Sequence, residues 1–318
     1  MINSDIKTIS IVIPVHNEAL NIKHLFNRIS SSVLEIKNYQ FEILFVDDGS
    51  SDNTLECIRS ISSEKIPVGY VKLSRNFGHQ FALLAGLKNA RGEAVITMDG
   101  DLQHPPEMIP EMVKLYVKGA EVVQMRRKNI NSNFKGIISF LFYFFFKKIS
   151  KVPLVPNAAD FRLMSKKIVS LVNQSGKGIL LRAFVPSVAS KQFFLDYYQD
   201  ERYSGSPSYS LLDSFELGLQ TIFIYSTFPA RASFFTGTLF LGISLTGFIY
   251  TYLTYHNFNF TLLLALLFCF TGGMILCSLG MICWFLYFIF EHSRTDSTYV
   301  ISEIVEPKTD LQSEKNNC

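Results

Sequence analysis

The sequence predicts an α/β protein, doubly wound about a mostly parallel sheet and followed by two C-terminal membrane-spanning helices. Three observations carry this expectation. Short apolar runs alternate with amphipathic stretches through the first 125 residues, acidic and polar clusters close the apolar runs, and no Asp, Glu, Lys or Arg occurs between Ala232 and Phe290.

The runs are taken in order. TISIVIPV is followed by NIKHLFNRISSSV, FEILFVDD by DNTLECIRSI, VGYVKLS by GHQFALLAGLKNA and EAVITMD by PEMIPEMVKLYVK, after which AEVVQM closes the series. Apolar runs of five to eight residues separated by amphipathic segments of about three turns read as parallel strands with crossover helices. Ligands of such sheets lie outside the carboxyl ends of the strands. HNE, DDGS, SRN and DGD follow the first four runs, so all four clusters are expected at one edge.

The segment FKGIISFLFYFFFKKIS (134–150) is aromatic, too short to span, and flanked by Lys135, Lys147, Lys148 and Lys151. It suits a helix in the lipid headgroup layer, with an ordinary core helix as the alternative. The charge-free run suits two crossings of about 20 residues each, placed at Phe234–Tyr255 and Thr261–Phe290. The turn HNFNF between them has no Lys or Arg, whereas Arg231 precedes and Arg294 follows, which puts both ends of the pair in the cytoplasm. MINSDIKTIS shows no basic leader with an apolar core, so the N-terminal half is expected in the cytosol. The tail from Lys308 is polar and patternless, expected to be disordered. The resulting division is an α/β core at 1–130, an intermediate region with the lysine-flanked segment at 131–231, two spans at 232–290 and a cytoplasmic tail at 291–318.

Composition excludes some classes. Thirty Lys and Arg against 27 Asp and Glu leave a formal charge of +3, so nothing global favours a nucleic acid. Cys57, Cys269, Cys277, Cys283 and Cys318 have no paired spacing, which argues against a disulfide framework or a zinc site.

Asp99 and Asp101 end the fourth run with only Gly100 between them. In extended chain such residues project to one side, and glycine lets a ligand approach the backbone. Two carboxylates so close suit a hard cation, Mg²⁺ or Mn²⁺, with the Gln103 amide as a further oxygen ligand and positions left for a diphosphate. Asp47 and Asp48 end the second run. Ser50, Ser51 or Asp52 suffices to cap the helix that follows, so these two acids exceed what capping requires.

IPVHNE (13–18), FVDDGSSDNT (45–54), LSRNFGHQFALLAGL (73–87), MDGDLQHPPEMIP (98–110) and ADFRLM (159–164), with the two spans, resemble the family-2 glycosyltransferases of GT-A fold. The resemblance covers about residues 8 to 290 and is to the polyprenyl-phosphate branch, which includes dolichol-phosphate mannose synthase and bacterial undecaprenyl-phosphate glucosyl- and aminoarabinosyltransferases. It implies that Pro14, His16, Glu18, Val46, Asp47, Asp48, Arg75, Asp99 and Gly100 bind the nucleotide sugar. His16 stands where Tyr is common, and Asp48 at the carboxylate that reads the base. Asp99, Asp101 and Gln103 fall at the metal and diphosphate site, and Arg126, Arg127, Lys135, Arg162 and Arg202 are the candidates for the acceptor phosphate. Asp101, Arg127 and Arg202 are the candidate catalytic residues. For Arg162 the residues also allow a brace on Asp160, and for Arg75 a structural role.

The activity implied is transfer of one sugar, with inversion, from a nucleotide donor such as a UDP-sugar to polyprenyl phosphate. The setting implied is the cytoplasmic face of the inner membrane, in support of surface polysaccharide, lipid A or protein glycosylation. Homo-oligomers through the membrane region are possible partners. An acceptor phosphate, with a second pKa of about 6, is already an anion, so the site needs cations to align two anions rather than a general base. Met125, Ile130 and Ser208 depart from a glycine, an arginine and a lysine common in the branch, and Arg126 or Lys135 is placed to compensate. A processive synthase would carry Gln-x-x-Arg-Trp, yet the one tryptophan, Trp284, lies in the second span. A degenerate, non-catalytic scaffold is the other alternative. A dinucleotide-binding oxidoreductase lacks its glycine-rich turn here, which reads PVHNEA.

Overall fold

The computed structural model describes residues 7–61, 65–128, 155–175, 180–200, 228–254, 260–292 and 299–307. The expected interfacial segment 134–150, Lys135, Arg202 and Ser208 lie outside them. The chain forms two compact units, one from residues 1–138, 153–207 and 296–318, the other from 139–152 and 208–295.

In the first unit the expected alternation forms in order: β1 (Lys7–Val15), α1 (Ala19–Val33), β2 (Tyr39–Asp47), α2 (Thr54–Arg59), β3 (Val68–Leu73), α3 (His79–Asn89), β4 (Ala94–Thr97), a 3₁₀ turn leading into α4 (Ile109–Val117), and β5 (Val122–Arg127). The sheet does not stop there. β6 (Ala158–Ser165), α5 (Lys166–Gln174), α6 (Leu181–Val188), β7 (Gln192–Tyr197) and, after the apolar helices, β8 (Ile301–Val305) complete it. The strand order is β7-β5-β6-β4-β1-β2-β3-β8. β1 to β5 and β7 run one way, while β6 and β8 run against them.

The sheet thus continues past residue 130: β6 inserts between β4 and β5, and β8 adds residues 301–305 at its edge. Tyr299 is buried in the core, and Arg59 and the Tyr70 hydroxyl both bond Glu303. These strands are invisible to a crossover pattern because each pairs with a strand far away in sequence.

Alternation along β1 explains the two-sided core. Ile9, Ile11 and Ile13 face α1 and α4, packing with Ile22, Leu25 and Met112, whereas Val12 faces α3 with Val46, Val71 and Leu83. Helices thus cover both faces, as a doubly wound sheet requires. On the α3 side Gly86 sets the spacing, because a Cβ there would sit 2.2 Å from Val12 Cγ1 and 2.9 Å from Val46 Cγ2.

The second unit contains α7 (Phe228–Thr254) and α8 (Phe260–His292). Ala230–Leu253 and Phe260–Tyr287 are long and apolar enough to cross a membrane, with mean hydropathies of 1.6 and 2.4, and only 11% and 17% of these windows are buried. Helices apolar all round that leave Leu and Phe facing outward suit a bilayer. They touch each other through small residues: a Cβ on Gly273 would lie 2.9 Å from the Gly237 carbonyl, and the Ser244 hydroxyl donates to the Leu266 carbonyl at 2.8 Å.

Candidate active site

The four polar clusters meet at the carboxyl edge of β1 to β4, as the topology predicts. Main-chain hydrogen bonds first tie the strand ends together: the Asp48 amide donates to the Val15 carbonyl and the Met98 amide to the Val12 carbonyl. His16 Nδ1 lies 2.9 Å from the Asp48 carbonyl. A carbonyl only accepts, so Nδ1 carries the proton and Nε2 accepts from the amides of Asn76, at 3.1 Å, and Asn17, at 3.3 Å.

Asp48 is almost fully buried and receives the Phe77 and Gly78 amides at 2.8 and 2.9 Å. Its carboxylate therefore shapes the loop after β3. Gly49 has φ of +65°, and a Cβ on it would lie 2.4 Å from the Arg75 carbonyl carbon, so only glycine lets the two loops close. Asp47 is buried too, one oxygen accepting from the Ser50 amide at 3.0 Å. Asp52 serves the starts of two helices, accepting from the amides of Ala19 and Thr54. Burial pushes its carboxyl up, but the hydrogen bonds from Thr54 and Ala19 outweigh this and hold it below the ordinary value.

Past β4 the chain turns sharply, with Leu102 at φ of +65°. Asp101 Oδ1 accepts the Gln103 amide at 3.2 Å, and the Asp99 amide donates to His104 Nδ1 at 3.0 Å. His104 is fully buried, stacked on Phe161 with centroids 5.2 Å apart and edge-on to Tyr197. Burial pushes its pKa down, so the ring is neutral, with its proton on Nε2, 3.4 Å from Asp99 Oδ2. On the other side His79 Nε2 is 3.3 Å from Asp99 Oδ1 and 3.6 Å from Asp160 Oδ2. Burial lowers the His79 pKa, but hydrogen bonding to Asp160 and the fields of Asp99 and Asp160 raise it by more.

Asp160 is the hub behind this loop. One oxygen bonds Arg162; the other accepts from Arg182 Nη2 at 2.7 Å and Nε at 3.1 Å. Burial would raise its pKa, yet the Arg182 charge, the His79 hydrogen bond and Arg162 hold it well below the carboxylate range.

Several expected residues stand differently in the structure. Arg162 is fully buried, bonded to Asp160 and to the Leu181 carbonyl at 3.1 Å. Burial leaves it no surface for an acceptor phosphate in this structure, and the bond to Asp160 matches the brace that the residues also allow. The Val46 side chain packs in the core against α3, leaving only its main chain at the edge. Gln103 Oε1 accepts from Gln199 at 2.6 Å. Arg126 ion-pairs with Asp196 at 2.8 Å, and the Arg75 guanidinium lies 4.2 Å from the Phe77 ring centroid. Arg127 Nε donates to the Tyr197 hydroxyl at 3.2 Å, and the Tyr197 ring stands edge-on to His104 of the aspartate loop. Gly100 packs against Val15, beside the Pro14 carbonyl. The Glu18 amide donates to Thr54 Oγ1 at 2.8 Å, and its carboxylate accepts from Asn21.

His79, His104, Arg182, Tyr197 and Gln199 are the site residues that sequence reasoning missed. His79 and His104 lie inside the quoted SRNFGHQ and DGDLQH clusters, which is a usable signal. Arg182 has none, since its partner is 22 residues away on another element.

Asp99 Oδ1 is buried without a hydrogen-bond donor at bonding geometry, and Asp101 faces the same turn. Among the described residues no cluster of three or more His, Cys, Asp or Glu is arranged to hold a metal alone. Two carboxylates set two residues apart on this turn suit a hard cation such as Mg²⁺ or Mn²⁺.

The family model for glycosyl transferase family 2 matches residues 10–171. The uncharacterized glycosyltransferase YkcC of Bacillus subtilis (strain 168) is 32% identical over 308 residues, covering 92% of this chain and 93% of the relative. The prophage bactoprenol glucosyl transferase homolog of Escherichia coli (strain K12) is 33% identical over 245 residues, 76% of this chain and 79% of the relative. The bactoprenol glucosyl transferase of Shigella phage SfV is 33% identical over 239 residues, 74% and 78%. With the match running from β1 into α5, across the strand ends that gather the acidic clusters, the chain belongs to glycosyl transferase family 2.

Proposed function

We propose that this glycosyltransferase moves one sugar, with inversion, from a nucleotide donor, a uridine diphosphate sugar in first place, to polyprenyl phosphate at the cytoplasmic face of a membrane. The observation that carries the reading is the turn that holds Asp99 and Asp101, backed by Tyr197, to which Arg127 is bonded, in a chain that also holds two helices fit to span. Relatives named bactoprenol glucosyl transferases support the lipid phosphate acceptor.

In this reading Asp99 and Asp101 hold a divalent cation, which supplies stabilisation of the charge on the departing diphosphate. An acceptor phosphate oxygen bonds to the anomeric carbon as the carbon–oxygen bond to the diphosphate breaks on the opposite face. Arg127 steadies the incoming phosphate with its guanidinium fork, while Arg202 and Lys135 are further candidates. The His16 and Asp48 loops bind the nucleotide. His79 and His104 stand 3.3 and 3.4 Å from the two oxygens of Asp99, placed to bias the rotamer of that carboxylate.

The test is mass spectrometry of lipid products from polyprenyl phosphate with a panel of UDP-sugars, with and without a chelator. A single glycosyl addition that stops on chelation is expected; full activity after complete metal removal defeats the metal role. Asp99→Asn and Asp101→Asn are each expected to lower the rate by about a hundredfold or more, with the unfolding midpoint little changed. A near-normal rate removes that residue from the site.

A further inference from the structure

The neighbouring ends of β5 and β7 carry a further set of basic and aromatic side chains beside Arg127. The two strands run parallel, with Arg126 opposite Asp196 and Arg127 opposite Tyr197. On one face the Arg126 guanidinium lies 5.1 Å from the centroid of Phe194. One rung further, the Lys128 ammonium lies 5.7 Å from that of Tyr198. Tyr198 is 67% exposed and Phe194 40%. Arg126 and Lys128 against Asp196 leave this rung net positive.

Its place in the fold gives it a meaning. β5 and β7 point the same way as β4, so the rung lies at the edge that holds Asp99 and Asp101. In sequence, residues 139–152 follow Lys128 and residues 208–295 follow Asp200, and both segments belong to the second compact unit.

We propose that Lys128 and Tyr198, with Arg126 and Phe194 one rung behind, form a docking surface for the headgroup layer of an anionic membrane. Amphipathic rings settle at the membrane–water boundary, and ammonium and guanidinium groups meet lipid phosphate there. The inference rests on the reading of α7 and α8 as spans. It is graded along the strand, because four residues of strand rise by about 13 Å, so Tyr198 enters the headgroups and Phe194 sits at their outer margin.

The full-length protein in phosphatidylglycerol-containing vesicles tests this by fluorescence quenching. Native Trp284, the single tryptophan and 63% exposed on α8, is read first with lipids brominated in the acyl chain. Strong quenching establishes the spans; no quenching defeats the membrane reading itself. Tyr198→Trp, Phe194→Trp and Val117→Trp are then each placed in a Trp284→Phe background and read with lipids carrying a headgroup nitroxide. Val117 is 63% exposed at the end of α4, which returns to the opposite edge of the sheet. The expected order is Tyr198→Trp quenched at least twofold more than Phe194→Trp, with Val117→Trp unaffected. If Trp284 is quenched by chain bromines but Tyr198→Trp responds no more than Val117→Trp, the docking surface is wrong. Crosslinking of two copies through β7 in place of quenching would equally overturn it, since the edge would then serve another strand.

Discussion

Asp160 is where single-residue energetics decide whether the site keeps its shape. Its carboxylate is 1% exposed and faces Arg162, at 0%, with Arg182 and His79 beside it. Removing one partner of a buried pair strands the other charge, at a cost of about 3–5 kcal/mol. Asp160→Ala should therefore unfold at much lower denaturant than wild type, and Asp160→Leu with Arg162→Met should recover part of that loss in the same equilibrium measurement. If Asp160→Ala unfolds like wild type, the hub is not structural. The hub also shows how far residues reveal their roles before folding. Arg162 and Asp160 stand two apart on a strand, so their side chains share a face and the brace was readable. Asp99, Asp101 and His16 were readable because strand ends gather ligand groups. The grip of His79 on Asp99 was not, since it spans two crossover units and depends on how α3 starts. Nor was the loss of Val46 and Arg162 to the interior, which depends on which face of each strand a helix covers.

At the scale of elements, the β1–β5 alternation was readable from its own period, while β6, β7 and β8 follow from pairings that no local pattern encodes. Two of these contacts make predictions with a sign to settle. Gly86→Ala gains up to about 1 kcal/mol of helix propensity, but the new methyl sits 2.2 Å from Val12 Cγ1, and overpacking costs about 1–3 kcal/mol. Destabilisation is expected, and Val12→Ala in the same chain should relieve it, so the double variant should lose less than the sum of the singles. Additive losses would mean that α3 shifts instead. Glu121, just before β5, accepts from Lys167 at 2.7 Å and from the Ser190 amide at 2.8 Å, joining β5 to α5 and to the chain entering β7. The Lys167 hydrogen bond, followed by the Ser190 amide, pulls its pKa down to about 2. A carboxyl depressed on folding stabilises above its unfolded pKa of about 4.3, and that stability is lost as pH falls from there through about 2. Glu121→Gln should accordingly melt earlier than wild type at pH 7, with the gap closing between about pH 4 and 2. A gap independent of pH would assign the effect to shape rather than charge.

For the molecule as a whole, β8 constrains how often the chain crosses a membrane. β8 pairs with β3, Tyr299 is buried in the same core as Val71, and the Ser74 amide donates to the Val300 carbonyl at 2.9 Å. The stretch that follows α8 is thus built into the sheet that precedes α7. A sheet cannot be assembled from strands on opposite sides of a bilayer, so the number of crossings between residues 228 and 301 is even. Two helices satisfy this, and Arg231 and Arg294 agree with the sheet side being cytoplasmic. In a cysteine-free variant, a cysteine introduced by Asn257→Cys between the helices should react with a membrane-impermeant maleimide on intact cells. Restoring Cys318 alone should give reaction only after permeabilisation. Labelling of both sites from outside would mean that the helix pair lies on the membrane without crossing it, and labelling of Cys318 alone would invert the orientation. Either result would leave the sheet intact and remove the cytoplasmic supply of nucleotide sugar on which the proposed reaction depends.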